Sequence, residues 1–338
     1  MSKLTENRDL SGPLRAVIVS PEGKKRLQHV PWDLVILFLA FLLMCTLFAI
    51  LRPQFLNPRN IINVFRQIAV IFVMASGQTF VILSGGIDLS QGAIVNLVSV
   101  VTADIVILYG VPWGMMAGLI AGTICGVISG LFVSKAKIQP FIATLGMLFV
   151  ASGGALVYTG GIAIFGLDKP MYQSFFWFGG GYIGSIPVPV IFAIGTLIVS
   201  YLLMYRLRFG RHVYAIGGNE GVAMVSGVNV VRTKIVIYTL SSFAATAGGI
   251  ILTSRILSGQ PYLGGFSILM ESIASVVIGG TSLKGGEGSI FRTLMGALFV
   301  GFLGNGLNLL GVSTFVQQIV IGMIIILSVW MSVIRSRR

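Results

Sequence analysis

Ten stretches of roughly twenty apolar residues run through this chain, and their length restricts what it can fold into. They span 33–51, 62–83, 92–109, 112–134, 138–160, 187–205, 234–256, 267–281, 290–310 and 314–334. A helix of that length crosses the hydrocarbon core and satisfies its own backbone hydrogen bonds, as lipid demands. The stretches lack the strict alternation of a transmembrane β-barrel. With 55% hydrophobic and only 10% charged residues, and a mean hydropathy of +0.95, the 338 residues cannot cover a water-facing surface. The expected fold is all-α: a polytopic bundle of about ten membrane helices with broken or re-entrant segments. The eighth stretch, 267–281, is short and is read as broken or re-entrant.

Charge sets the orientation. With the N-terminus inside, all of the 23 Lys and Arg except Arg52, Arg59, Arg66, Lys169 and Arg255 fall in cytoplasmic segments. Both termini are then cytoplasmic. The chain divides into a tail 1–32, a membrane domain 33–334 and a C-terminal stub 335–338. The first apolar run lacks a closely following small-residue cleavage site and reads as an uncleaved span. The net charge of +13 reflects this cytoplasmic bias, not a nucleic-acid partner. Cys45 and Cys125 lie inside apolar runs with neither disulfide nor metal spacing.

Two connections are long. The outer one, 161–186, is aromatic and suits either an interfacial belt or a docking surface. The inner one, 206–233, contains RFGRHVYAIGGNEGVAMVSGV. There Gly217 and Gly218 are expected to give a sharp entry turn and Asn219 to cap a short helix reaching Gly227. Glu220 and Gly221 fall in its first turn, and Val222, Ala223 and Val225 offer a small apolar face. Within 112–134, Gly114, Gly118, Gly122, Gly126 and Gly130 recur every fourth residue, which lines one helix face for close packing, within the chain in preference to a dimer seam.

Polar groups at membrane depth are functional candidates because burying them in lipid is expensive. Gln78, Asp88, Ser90, Asn96, Asp104, Glu271, Asn305 and Asn308 are the candidate pathway residues. Asp88 and Ser90 belong to SGGIDLSQG, a glycine break between two apolar runs that resembles IGGTSLKGGEGS further on. Asp88 is placed to accept backbone N–H groups at a helix start. Asp104 is expected to pair with a neutral amide or hydroxyl on another helix. No Walker-type phosphate loop, nucleophile–base set or metal cluster occurs, so no catalytic or metal-binding residue is expected.

FLNPRNIINVFRQ, VILSGGIDLSQGAIV, QPFIATLGM, RFGRHVYAIGGNEGVAMVSGVNVVRTK, SGQPYLG, VVIGGTSLKGGEGSI and GNGLNLLGVSTFVQQIVIG, taken together and in order, resemble the permease subunits of bacterial ABC importers for ribose, xylose, arabinose and galactosides. The likeness covers nearly the whole chain after residue 50. Three departures stand out: Gln91 in a Val position, Ser152 where Arg is common, and Glu271 where Asp is common. The resemblance implies a non-catalytic inner-membrane subunit that forms the path for a monosaccharide. It implies a second permease subunit, in a homodimer, and a periplasmic sugar-binding protein. A cytoplasmic ATPase would bind the ATP and Mg, and its contact is placed on Gly217, Gly218, Asn219, Glu220 and Gly221. Membrane lipid is the remaining partner. An ion-coupled secondary transporter and a channel for small polar solutes are the alternatives.

Overall fold

The computed structural model describes residues 32–336. The remainder of the N-terminal tail (1–31) and residues 337 and 338 lie outside the described residues, as do the charges there that bear on orientation. Thirteen α-helices account for most of the rest. They are α1 (Trp32–Leu51), α2 (Pro58–Leu83), α3 (Gln91–Tyr109), α4 (Val111–Ser134), α5 (Pro140–Thr159), α6 (Gln173–Gly180), α7 (Val188–Tyr201), α8 (Arg208–Gly218), α9 (Glu220–Val225), α10 (Val230–Ile256), α11 (Gly265–Ile278), α12 (Ile290–Leu309) and α13 (Thr314–Ser336). Two short strands, β1 (Tyr182–Ile183) and β2 (Ile186–Pro187), form a hairpin in the outer loop.

Among the described residues eight helices are long and apolar enough to cross a bilayer, with two shorter apolar helices at Gly265–Ile278 and Thr314–Trp330. These ten match the ten apolar stretches of the sequence. Burial ranks them: 89% of the spanning window of α2 is inside the protein, against 6% for α1. Thus α2 is a central post and α1 an outer helix facing lipid. Around α2 pack α7, α10, α11 and α12, while α10 also packs on α3 and α4.

The glycine face of α4 makes the last contact possible. A Cβ at Gly126 would meet Ser242 of α10 at 2.6 Å, and one at Gly130 would meet the Ile235 backbone at 2.8 Å. Gly114 and Gly118 press in the same way on Thr102 and Val106 of α3. The stripe therefore serves packing within the chain, where small residues let backbones approach.

Proline at the first turn and Asn57 at the cap start α2, with the Asn57 side chain accepting from Arg59 N–H at 2.9 Å. At its other end Gly85, at φ +81°, takes the chain out of the helix.

Candidate functional site

The segment Ser84–Ser90 does not simply turn around at the membrane surface; it folds back along α2. The Gln91 side chain, at the first residue of α3, donates to the Met74 carbonyl at 3.1 Å. Met74 lies nine residues before the end of α2, so α3 begins about 13 Å along that helix from its end. With its amide oriented by its partners, Gln78 exchanges two bonds with the backbone of Asp88, at 3.3 and 3.2 Å. Non-helical backbone at this depth survives only when protein supplies its partners, and Gln78 supplies them.

Asp88 is fully buried. Ser90 donates to its Oδ1 twice, from the backbone N–H at 2.9 Å and from the hydroxyl at 2.6 Å. Ser241 of α10 donates to Oδ2 at 2.7 Å. Gln91 continues the network: it donates to Ser241 Oγ at 3.0 Å and accepts from the Ser272 hydroxyl of α11 at 2.8 Å. One chain of side-chain bonds thus joins α2, the break, α3, α10 and α11. The Tyr238 hydroxyl is buried beside Gly86, and it has no hydrogen-bond partner. Any side chain at Gly86 would collide with it.

A second departure from helix enters from the other side. After α10 the chain passes through Leu257 at φ +51° and then runs along α3. Gln260 N–H donates to Ser99 Oγ at 3.0 Å and Gly264 N–H donates to Asn96 Oδ1 at 2.7 Å. Gly259 pairs with Ile164 of the outer loop through bonds of 2.8 and 2.9 Å. The short eighth span is explained by this extended segment, which occupies the outer part of the crossing before the 14 residues of α11 begin.

The remaining candidates stand apart. Asp104 on α3 accepts from the Tyr158 hydroxyl of α5 at 2.5 Å, a neutral partner of the expected kind. Asn305 and Asn60 exchange reciprocal amide bonds of 2.9 Å between α12 and α2. Asn308 accepts from Gln317 of α13 at 2.7 Å. Glu271 lies on α11 with Ser267 as its hydrogen-bonding neighbour. The structure therefore clusters Gln78, Asp88 and Ser90, while Asn96, Asp104, Glu271, Asn305 and Asn308 are each tied locally. Gln91, Ser241 and Ser272 complete the cluster and were not among the candidate residues. Gln91 carried the only sequence signal, as a polar residue in an apolar family position.

On the inner side, α8 and α9 form the connection 206–233. Asn219 caps α9, its side chain accepting from Val222 N–H at 3.0 Å. Glu220 sits in the first turn, where a carboxylate suits the helix dipole, and bonds Lys234 Nζ at 2.6 Å. Two expectations need correction. Gly217 and Gly218 do not make a turn: both end α8 without a left-handed φ. Ala223 does not share the exposed face, because it packs inward on Ile216 and Val230; Met224 takes its place beside Val222 and Val225, which is 86% exposed.

Gly217 is needed for a different reason. A Cβ there would collide with the Leu83 carbonyl oxygen and stand 2.5 Å from Gly286 N. Gly286 N–H itself donates to Leu83 O at 2.9 Å. A Cβ at Gly285, at φ +87°, would meet Gly217 O at 2.8 Å and Gly85 N at 2.9 Å. The end of α2, the end of α8 and the loop 279–289 thus meet backbone to backbone. Tyr214 of α8 reinforces this junction by donating to Gly288 O at 2.8 Å, and burial pushes its hydroxyl pKa up. Gly218, by contrast, has open space around it.

A bundle built on a buried post, with two non-helical segments held inside it by polar side chains, defines a multi-pass membrane protein with an interrupted core. The family described as the branched-chain amino acid transport system / permease component matches residues 60–329. The ribose import permease protein RbsC of Bacillus subtilis (strain 168) is 47% identical over 86% of this chain and 90% of its own length. RbsC of Escherichia coli (strain K12) is 40% identical over 86% and 91%. The L-arabinose transport system permease protein AraH of the same strain is 37% identical over 88% and 90%. The chain belongs to this permease family and is a multi-pass inner-membrane protein.

Proposed function

We propose that this chain is the membrane subunit of an ATP-driven importer and forms, with a second copy of itself, the path for a monosaccharide. Ribose is the first sugar to test, since the two RbsC proteins above share more sequence with this chain than AraH does. A periplasmic binding protein delivers the sugar, and a separate cytoplasmic ATPase, which binds the ATP and Mg, docks on α9. The chain itself is then not catalytic.

The observation that carries this reading is α9: an exposed apolar patch of Val222, Met224 and Val225 on the inner side, joined through α8 to the glycine junction at the first break. A channel or an ion-coupled carrier needs no docking helix there. In this reading Gln78, Asp88, Ser90 and Asn96 shape the path by fixing its two non-helical borders. Glu271, Asp104, Asn305 and Asn308 are further candidates to line it.

The classes separate in membrane vesicles. Sugar uptake that stops on ATP depletion and survives a proton uncoupler supports the importer. Uptake that follows the proton gradient with ATP absent supports the ion-coupled reading.

A further inference from the structure

Two of the five basic residues on the outer side, Arg66 of α2 and Arg255 of α10, meet the same end of α6: Arg66 donates to Gly180 O at 3.3 Å, and a Cβ at Gly179 would stand 2.6 Å from Arg255 N. No carboxylate bonds either one among the described residues. Arg66 also lies over the Tyr182 ring at 4.4 Å, but its Nε is buried with no partner. Arg255 is half-buried, and among the described residues its side chain makes no hydrogen bond. Keeping two like charges together in this way, half-buried at the edge of the membrane, is unfavourable unless an anion joins them.

Just below them lies a cleft of about 400 Å³ between α2, α7 and α10. Its walls include Val73, Ile191, Val199, Leu203, Leu240 and Ala244, and Trp177 and Ile183 stand at its outer rim. Arg66 shares a helix face with Val73, seven residues on, and Arg255 shares one with Ala244, eleven back. Val188 and Ser200 both line the cleft, so it runs about 18 Å along α7, longer than the roughly 15 Å of one leaflet's hydrocarbon. The wall is mostly apolar: only Ser76, Thr196 and Ser200 bring hydroxyls, and Ser76 already donates to Val73 O, too few partners for the hydroxyls of a sugar, so the cleft is not the sugar path.

We infer that this cleft is a phospholipid site: an outer-leaflet acyl chain fills the groove and the phosphate of an anionic headgroup bridges Arg66 and Arg255. Guanidinium groups match phosphate geometry and are weakly hydrated, which suits a site at the edge of the membrane. A second copy of the chain is a poorer occupant. A two-fold axis along the membrane normal would bring its arginine pair to the same depth, like charge against like.

The test uses the full chain, purified in mild detergent and mixed with phosphatidylethanolamine vesicles containing phosphatidylglycerol. Lipid retained by the protein is read by native mass spectrometry. Arg255→Gln removes a side chain with no internal bond, and retained phosphatidylglycerol should fall about tenfold, the worth of one charged hydrogen bond. Gly195→Trp fills the groove from a position with open space around its Cβ, and should expel the lipid with melting temperature unchanged. Arg66→Gln should act as Arg255→Gln does; should it unfold the chain, the other two variants still decide. Equal retention in Arg255→Gln and the parent overturns the proposal. So does displacement of the lipid by inorganic phosphate, which would mark a soluble-anion site, or disulfide linkage of two chains through Gly195→Cys, which would mark a subunit interface.

Discussion

Gly217→Ala is the sharpest perturbation available at the glycine junction. The added methyl would collide with the Leu83 carbonyl oxygen and stand 2.5 Å from Gly286 N, whereas real Cβ contacts are essentially never under 3.0 Å. Both obstacles are backbone, so no rotamer relieves the clash. Either α8 withdraws from the end of α2, or the Gly286–Leu83 bond of 2.9 Å breaks. Overpacking of this kind costs about 1–3 kcal/mol. If that strain falls on only one of the two states of a transport cycle, their ratio shifts about 5- to 150-fold. The chain should still insert, because its spans are untouched. Sugar uptake driven by the ATPase should fall by at least the lower of those factors, with the ATPase still bound through α9. Gly218→Ala is the internal control: nothing lies within 4 Å of a Cβ there, so it should transport normally. The assay is initial uptake in vesicles carrying equal amounts of each permease, with ATPase co-purification measured alongside. Equal uptake by Gly217→Ala and Gly218→Ala would refute the idea that this contact transmits motion.

Further substitutions test other parts. Asp88→Asn removes a carboxylate that accepts three hydrogen bonds, so uptake should slow while its pH profile keeps its shape; a lost pH optimum would favour proton coupling. Gln91→Val removes three hydrogen bonds, to Met74 O, Ser241 and Ser272, and leaves the buried Ser272 hydroxyl without its partner, so stability should fall by about 1–3 kcal/mol, read as a drop in melting temperature in detergent; an unchanged melting temperature would deny the network its structural role. Glu220→Lys sets a cation against Lys234 and should weaken ATPase co-purification, and the swap Glu220→Lys with Lys234→Glu should restore it. Restoration is expected to be partial, because an ion pair this exposed is worth less than about 1 kcal/mol.

Features set by local pattern were legible in the sequence. The ten spans follow from runs of apolar residues, and the α4 stripe follows from glycine at every fourth position. Asn219 as a cap follows from the chemistry of a short acceptor side chain before a helix. Features set by distant segments were not legible. The need for Gly217 arises from Leu83 and Gly286, neither of them near it in the chain, so composition suggested a turn instead. Asn96 was legible as a polar residue at membrane depth, but its bond to Gly264 N–H could be known only once the segment after α10 was seen to run along α3. Serines such as Ser241 and Ser272 are common in membrane helices and carried no signal until Gln91 was placed between them.

Reconstitution tests the central claim most directly. The purified chain, its ATPase and the binding protein are placed in liposomes, and entry of labelled ribose is followed with ATP on the α9 side. Uptake should require all three proteins and ATP, should persist with an uncoupler present, and should vanish when Val222, Met224 and Val225 are replaced together by aspartate. Ribose entry through the chain alone, or entry that ignores ATP and follows the proton gradient, would contradict the account.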